Sequence, residues 1–148
     1  MNILIINGPN LNLLGTREPD IYKNDTYSDL LNYLVLLEKD YSINLKVIQT
    51  NHEGSIIDYL HNALNEKYNA IIINPGAYTH YSYAIRDAIS AINIPTIEVH
   101  LTDITKREKW RSISVISDVC IKTFMGKHFE SYKEAINYLV KERDQYAK

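Results

Sequence analysis

Ala70-Ile71-Ile72-Ile73 is an apolar run of four residues that stops at Asn74-Pro75-Gly76 and is followed by Tyr78, Thr79 and His80. A run without polar alternation reads as a strand buried on both faces, which requires a mostly parallel sheet covered by helices on either side. In open α/β sheets the ligand crevice lies outside the carboxyl ends of the strands, where the winding reverses. The polar residues that close this run are therefore expected to line that crevice.

The rest of the chain repeats the scheme. Ile3 to Ile6 ends at Asn7-Gly8-Pro9-Asn10 and predicts the first strand. Leu11 to Asp25 has no sustained period, and a loop that long inside a compact domain is usually functional. A lid over about residues 14–25 is expected there. Thr26-Tyr27-Ser28-Asp29 is a helix-start signature ahead of Leu30, Leu31, Leu34 and Leu37. Ile43 to Thr50 alternates as a strand does, and Ser55-Ile56-Ile57-Asp58 looks like a second helix start before Leu60, Ala63 and Leu64. Ser82 to Ile92 places Ala84, Ile85, Ala88, Ile89 and Ile92 on one helical face. Pro95 to Leu101 predicts a fourth strand, and Thr102 to Arg111 a charged loop or short helix. Val119 to Thr123 predicts a fifth strand, and Ser131-Tyr132-Lys133-Glu134 the cap of a last helix whose tail frays from Lys141. Five strand-then-helix units without repeats or linkers predict one α/β domain over residues 1–148, a flavodoxin-like, doubly wound, five-stranded parallel sheet.

At 148 residues such a domain buries its core without staples. With 45% hydrophobic and 23% charged residues the composition is that of a folded globular protein. A net charge of -2 and a pI near 6.2 supply no bulk attraction for nucleic acid or an anionic membrane, so neither is an expected partner. The single cysteine, Cys120, reads as an inert core thiol in the middle of a strand. The N-terminal run reaches Gly-Pro too early for a signal peptide, no apolar stretch approaches the roughly 20 residues of a membrane span, and a reducing, cytoplasmic setting is expected.

The loops after strands one to four carry Asn7 and Asn10, His52 and Glu53, Asn74 and His80, and His100 and Thr102. In this architecture those loops meet at one sheet edge. A lone loop histidine is more often a surface residue than a catalyst, so His52, His61 and His128 carry little weight, whereas convergence favours His80 and His100. The period of two along strand four puts Glu98 and His100 on one face, where the carboxylate orients the imidazole and supports its cationic form; the competing reading is a surface pair on an edge strand. Arg17, Arg107 and Arg111 fall beside the same strand ends, and the spacing of 107 and 111 would aim both one way on a helical turn. Guanidinium groups suit carboxylate or enolate oxygens.

A metal is not expected: His52, Glu53, His80, Glu98 and His100 lack His-x-x-x-His or Cys-x-x-Cys spacing and an acidic cluster. There is no Gly-x-Ser-x-Gly elbow and no Gly-rich phosphate loop, which argues against a serine nucleophile, nucleotides and flavin. The residues that remain suit proton transfer on a small anion. Two other classes stay open at this point, a binding module without catalysis and a metal-dependent hydrolase.

Asn7 to Pro19 with Tyr22, then Asn74-Pro75-Gly76-Ala77-Tyr78-Thr79-His80, Ala84-x-Arg86-Asp87-Ala88, and Ile97-Glu98-Val99-His100 with Arg107-Glu108 and Arg111, together resemble the type II 3-dehydroquinate dehydratases over nearly the whole chain. The resemblance implies a flavodoxin-like, cofactor-free hydro-lyase of the shikimate pathway that converts 3-dehydroquinate to 3-dehydroshikimate through an enolate, assembled as a dodecamer of trimers. It implies that Tyr22 removes the C2 proton, Arg17 stabilises the charge that forms, His100 protonates the departing C1 hydroxyl, and Asn10 serves the enolate through a held water. It assigns substrate binding to Asn74, His80, Leu101, Thr102 and Arg111, with Asp87 supplied by a neighbouring subunit, and leaves Glu98 and Arg107 in support. A free tyrosine ionises near 10, so phenolate at neutral pH requires lowering this by roughly three, on the order of 4 kcal/mol. Arg17 and Arg107 are sources of that stabilisation. No strand end carries a lysine, so no imine is expected.

Two places depart from the family pattern. Thr102-Asp103 stands for the usual Ser-Asn, which puts a negative charge beside a carboxylate substrate unless Arg107 or Arg111 neutralises it, and Gly126-Lys127-His128-Phe129 stands for a more glycine-rich turn.

Overall fold

The first and third strands of the chain lie side by side, with the second strand outside the first. In the computed structural model, which describes residues 1–16 and 24–146, the strands are β1 (Asn2–Asn7), β2 (Asn44–Gln49), β3 (Ala70–Asn74), β4 (Thr96–His100) and β5 (Lys122–Met125). All pair in parallel, in the order β2-β1-β3-β4-β5. This is the flavodoxin-like sheet. Its winding reverses between β1 and β3, where Asn7 and Asn74 are register partners.

The helices are α1 (Tyr27–Tyr41), α2 (Glu53–Asn65), α3 (Tyr83–Ile92) and α4 (Glu130–Tyr146). Strand side chains alternate between two cores. Ile3, Ile5, Ile72, Ile97 and Val99 meet Leu30, Leu34 and Leu37 of α1 and Tyr132, Ala135, Ile136 and Leu139 of α4. Leu4, Ile6, Ile71 and Ile73 meet Ile56, Leu60 and Ala63 of α2 and Ile85, Ala88, Ile89 and Ile92 of α3. The unbroken apolar character of β1 and β3 is thus the signature of cover on both faces.

Helix α1 starts as its sequence predicts: Thr26 Oγ1 accepts from the Asp29 amide at 3.1 Å and the Thr26 amide donates to Asp29 Oδ2 at 2.8 Å. Ser82 likewise caps α3, accepting from the Ile85 amide at 3.1 Å. The expected start of α2 at Ser55 is wrong: the helix begins at Glu53 after His52, and the Glu53 carboxylate accepts from Ser82 Oγ at 2.6 Å, which ties that first turn to the start of α3. Ser131 is not the cap of α4 either; it lies inside a helix that starts at Glu130, and its Oγ accepts from the Lys127 amide at 3.1 Å.

The fifth strand lies further along than the expected Val119 to Thr123. Ser117–Val119 forms a 3₁₀ turn, and pairing with β4 begins only at Lys122 opposite Ile97. As an edge strand whose side chains are half-buried or exposed, β5 carries no strong apolar pattern to mark its ends. Cys120 therefore follows the turn instead of standing mid-strand, half-buried, with its thiol pushed up to about 12 by burial first and by Glu98 and Asp118 after that. Among the described residues no helix is long and apolar enough to cross a membrane.

Candidate active site

The carboxyl ends of β1, β3 and β4 open into one pocket, lined by Asn10 and Leu11 after β1, Asn74 and His80 after β3, and His100, Leu101, Thr102, Arg107 and Arg111 from β4 onward. Of the strand-end residues expected to converge, Asn10, Asn74, His80, His100 and Thr102 line it together with Arg107 and Arg111, while Asn7 lies buried without lining it. His52 and Glu53 do not join it, because β2 lies outside β1 and its following loop is spent on starting α2. Asp87 is on the exposed side of α3, away from this chain's pocket. Arg17, Tyr22 and most of the expected lid lie outside the described residues.

Glu98 and His100 are not a surface pair. Their strand is one in from the sheet edge, Glu98 is 0% exposed and His100 5%, and Glu98 Oε1 lies 2.6 Å from His100 Nε2. Two hydroxyls complete the carboxylate's shell: Ser114 Oγ donates to Oε1 at 2.6 Å and Thr123 Oγ1 to Oε2 at 3.2 Å. With Nε2–H given to Glu98, Nδ1 is the ring atom that His100 offers to the pocket it lines.

His80 is held through its other nitrogen. Its Nδ1 lies 2.7 Å from the Ile113 carbonyl, which can only accept, so Nδ1 carries the proton and Nε2 presents a lone pair. Burial pushes its pKa down, the Ile113 carbonyl opposes that, and His100, Arg111 and Arg107 add to the lowering. A neutral imidazole that accepts a hydrogen bond is thus favoured at this position. Its ring meets Trp110 edge-on at 5.6 Å, and the Arg111 guanidinium lies over the other ring of that contact at 4.1 Å.

Arg107 and Arg111 are not on one helical turn. Two separate 3₁₀ turns, Ile104–Lys106 and Lys109–Arg111, carry the segment, with Arg107 extended between them. Both arginines nevertheless line the pocket. Arg111 Nε lies 2.9 Å from Glu108 Oε2 as an ion pair without hydrogen-bond alignment, so its charge is partly met before any ligand arrives.

Asp103 answers the concern its charge raises. Its Oδ1 accepts from the Thr105 amide at 3.0 Å and from Thr105 Oγ1 at 2.6 Å, and Lys106 Nζ lies 3.9 Å from Oδ2. The carboxylate is used to start the first 3₁₀ turn, with the Lys106 ammonium close by. Thr105 foremost holds its pKa below the usual range.

Asn10 stands in the left-handed region at φ 68°, and its amide donates to Asn51 Oδ1 at 3.1 Å. Gln49 Nε2 donates to the same Oδ1 at 3.0 Å and to the Gly8 carbonyl at 3.1 Å. The end of β2 thus buttresses the loop that carries Asn10. Beneath the pocket the buried Tyr132 hydroxyl donates to Asn7 Oδ1 at 2.6 Å and accepts from Asn74 Nδ2 at 3.3 Å. Ser114, Thr123 and Tyr132 were not singled out in the sequence as site residues. No spacing marks them, since each acts across the fold on a residue at least 16 positions away.

Among the described residues no group of three or more His, Cys, Asp or Glu gathers to hold a metal. A flavodoxin-like sheet with two imidazoles anchored through opposite ring nitrogens, strand-end amides and two arginines at its winding reversal defines an enzyme of the acid–base kind acting on a small anion. The model of the family "Dehydroquinase class II" matches residues 1–140. The chain is 54% identical over 140 residues to the 3-dehydroquinate dehydratase of Caldicellulosiruptor saccharolyticus, covering 95% of this chain and 96% of that one. It is 51% identical over 139 residues to the Bacillus licheniformis protein of the same name, covering 94% and 95%. The crystal structure of type II dehydroquinase from Butyrivibrio crossotus superposes with a TM-score of 0.92 at 47% identity, covering 94% of this chain and 97% of that one. The protein belongs to the class II dehydroquinase family.

Proposed function

We infer that this chain is a type II 3-dehydroquinate dehydratase, a cofactor-independent hydro-lyase of the shikimate pathway that eliminates water from 3-dehydroquinate to give 3-dehydroshikimate. The observation that carries the chemistry is the buried Glu98–His100 pair facing a pocket whose other imidazole is held as an acceptor.

In the proposed mechanism the Tyr22 phenolate, stabilised by Arg17 with Arg107 in support, removes the C2 proton. Negative charge moves to the carbonyl oxygen as an enolate, which Asn10 meets through a held water. The C1 hydroxyl then leaves as water, taking the proton from His100 Nδ1 while the Glu98 carboxylate faces the ring from the other side. Asn74, His80, Leu101, Thr102 and Arg111 bind the substrate, Arg111 as the guanidinium partner of its carboxylate and His80 as an acceptor for a hydroxyl. Asp87 reaches the site of a neighbouring subunit in a homo-oligomer, a dodecamer built from trimers, in the cytoplasm. A lid over about residues 14–25 belongs to the same proposal, and residues 17–23 of it lie outside the described residues.

The test is to mix pure protein with 3-dehydroquinate and follow the ultraviolet absorbance of the enone, with and without chelator. Turnover indifferent to chelator is expected, and absence of product refutes the reading. Tyr22→Phe is expected to remove nearly all kcat with a modest change in KM; retained turnover would show that another group is the base.

A further inference from the structure

Two adjacent residues without an ionisable side chain, Ile113 and Ser114, meet the one imidazole and the partner of the other. The Ile113 carbonyl takes His80 Nδ1 at 2.7 Å, and Ser114 Oγ donates at 2.6 Å to the same Glu98 oxygen that meets His100 Nε2. The segment is itself anchored on both sides: the Val115 amide donates to the Thr79 carbonyl at 2.9 Å, and the Val115 carbonyl accepts from Arg86 Nη1 at 2.9 Å, with Arg86 also paired to Asp118.

We propose that Ser114 is a positioning residue for the proton-donating imidazole, its hydroxyl fixing the Glu98 carboxylate so that His100 Nδ1 is held toward the substrate. The proposal rests on the reading of His100 as the acid. Glu98 is 0% exposed, so bulk water does not replace a donor lost from its shell. Thr123 reaches the other oxygen from the edge strand at 3.2 Å, longer than the 2.6 Å of Ser114. Without Ser114 the carboxylate keeps only the Thr123 hydroxyl on Oε2 and the ring itself on Oε1, and nothing fixes the oxygen that orients the ring. Proton transfer depends steeply on such alignment. His80, by contrast, is held by a backbone atom that a change of the Ser114 side chain leaves in place, so substrate binding is spared.

Ser114→Ala is expected to lower kcat about ten- to a hundred-fold and to leave KM within about twofold. Ser114→Thr, which keeps the hydroxyl, restores most of kcat. In a Glu98→Gln background the further loss from Ser114→Ala shrinks to less than about twofold, because the two side chains act as one unit. Ser114→Cys, close in size with a weak donor, gives an intermediate kcat and serves in place of the alanine variant if that one fails to fold by circular dichroism. Wild-type kcat in both Ser114→Ala and Ser114→Cys, a KM that rises as far as kcat falls, or losses that multiply in the double variant would overturn the proposal. His100→Ala measured alongside separates the two readings: turnover kept without the imidazole refutes the acid role itself, whereas turnover lost there but intact in the Ser114 variants refutes only the positioning.

Discussion

Asn7 and Asn74 stand opposite each other at the ends of β1 and β3, and one phenol, that of Tyr132 on α4, binds both amides. Burial pushes the Tyr132 hydroxyl well above its ordinary value, so it stays a neutral donor to Asn7 and acceptor from Asn74. Tyr132→Phe keeps the ring in the core and orphans two buried amide atoms, at a cost of about 1–3 kcal/mol. For a chain of this size that lowers Tm by roughly 2–4 °C per kcal/mol. The Asn74 amide, released from its tether, turns away from its place in the pocket, and KM rises. Differential scanning fluorimetry with steady-state kinetics checks both, and a variant unchanged in Tm and KM would contradict the bridge.

Gly8 keeps the same two strand ends together from above. Its amide donates to the Asn74 carbonyl at 2.8 Å, and a Cβ at this position would meet the Pro75 carbonyl carbon and oxygen at 2.6 Å. Backbone faces backbone there, so no side chain can rotate out of the way. Gly8→Ala is expected to separate the Asn10 loop from the Asn74 loop, to cost about 1–3 kcal/mol in urea unfolding, and to lower kcat/KM as well. Unfolding midpoints that match the wild type would show that the loops yield without penalty.

The Asp103 carboxylate, which the sequence places in apparent conflict with an anionic substrate, is engaged with Thr105 and Lys106. Asp103→Asn keeps an acceptor for the Thr105 amide and is expected to leave KM within about twofold. Asp103→Ala removes the cap and is expected to lower the unfolding midpoint slightly. A large fall in KM on Asp103→Asn would mean that the charge does repel substrate.

These contacts mark where the sequence was legible and where it was not. The run at Ile71 to Ile73 and the Leu30-Leu34-Leu37 spacing revealed the sheet and its helical cover, because burial on both faces or on one stripe leaves a pattern in consecutive residues. The strand ends followed, since topology alone brings Asn10, Asn74, His80 and His100 to one edge. Val119-Cys120-Ile121 misled because an edge strand needs no apolar run, and Ser55 and Ser131 misled because a cap is decided by which backbone amide lacks a partner. The hydroxyls of Ser114, Thr123 and Tyr132 left no trace at all. Each satisfies a buried group contributed by another element, and such pairs are fixed only once the chain is folded.

His80 yields a pH dependence whose sign follows from its surroundings. Burial, then the nearby His100, Arg111 and Arg107, hold its folded pKa below the ordinary value of 6.5 against the opposing Ile113 carbonyl. In the unfolded chain the imidazole takes a proton near 6.5, while in the folded protein it stays neutral to lower pH. Its contribution to stability is therefore complete above 6.5 and is lost as pH falls through the lower, folded value. Substrate binding follows the same limb, because protonation converts Nε2 from an acceptor for a substrate hydroxyl into a donor. KM is expected to stay flat from about pH 8 down to 6.5 and to rise only in more acid buffer. The rise should vanish in His80→Asn, whose KM is higher throughout but does not titrate. Initial rates across that range in wild type and variant decide the matter: a KM that climbs already above 6.5, or an acid limb that survives in His80→Asn, would assign the titration to another group.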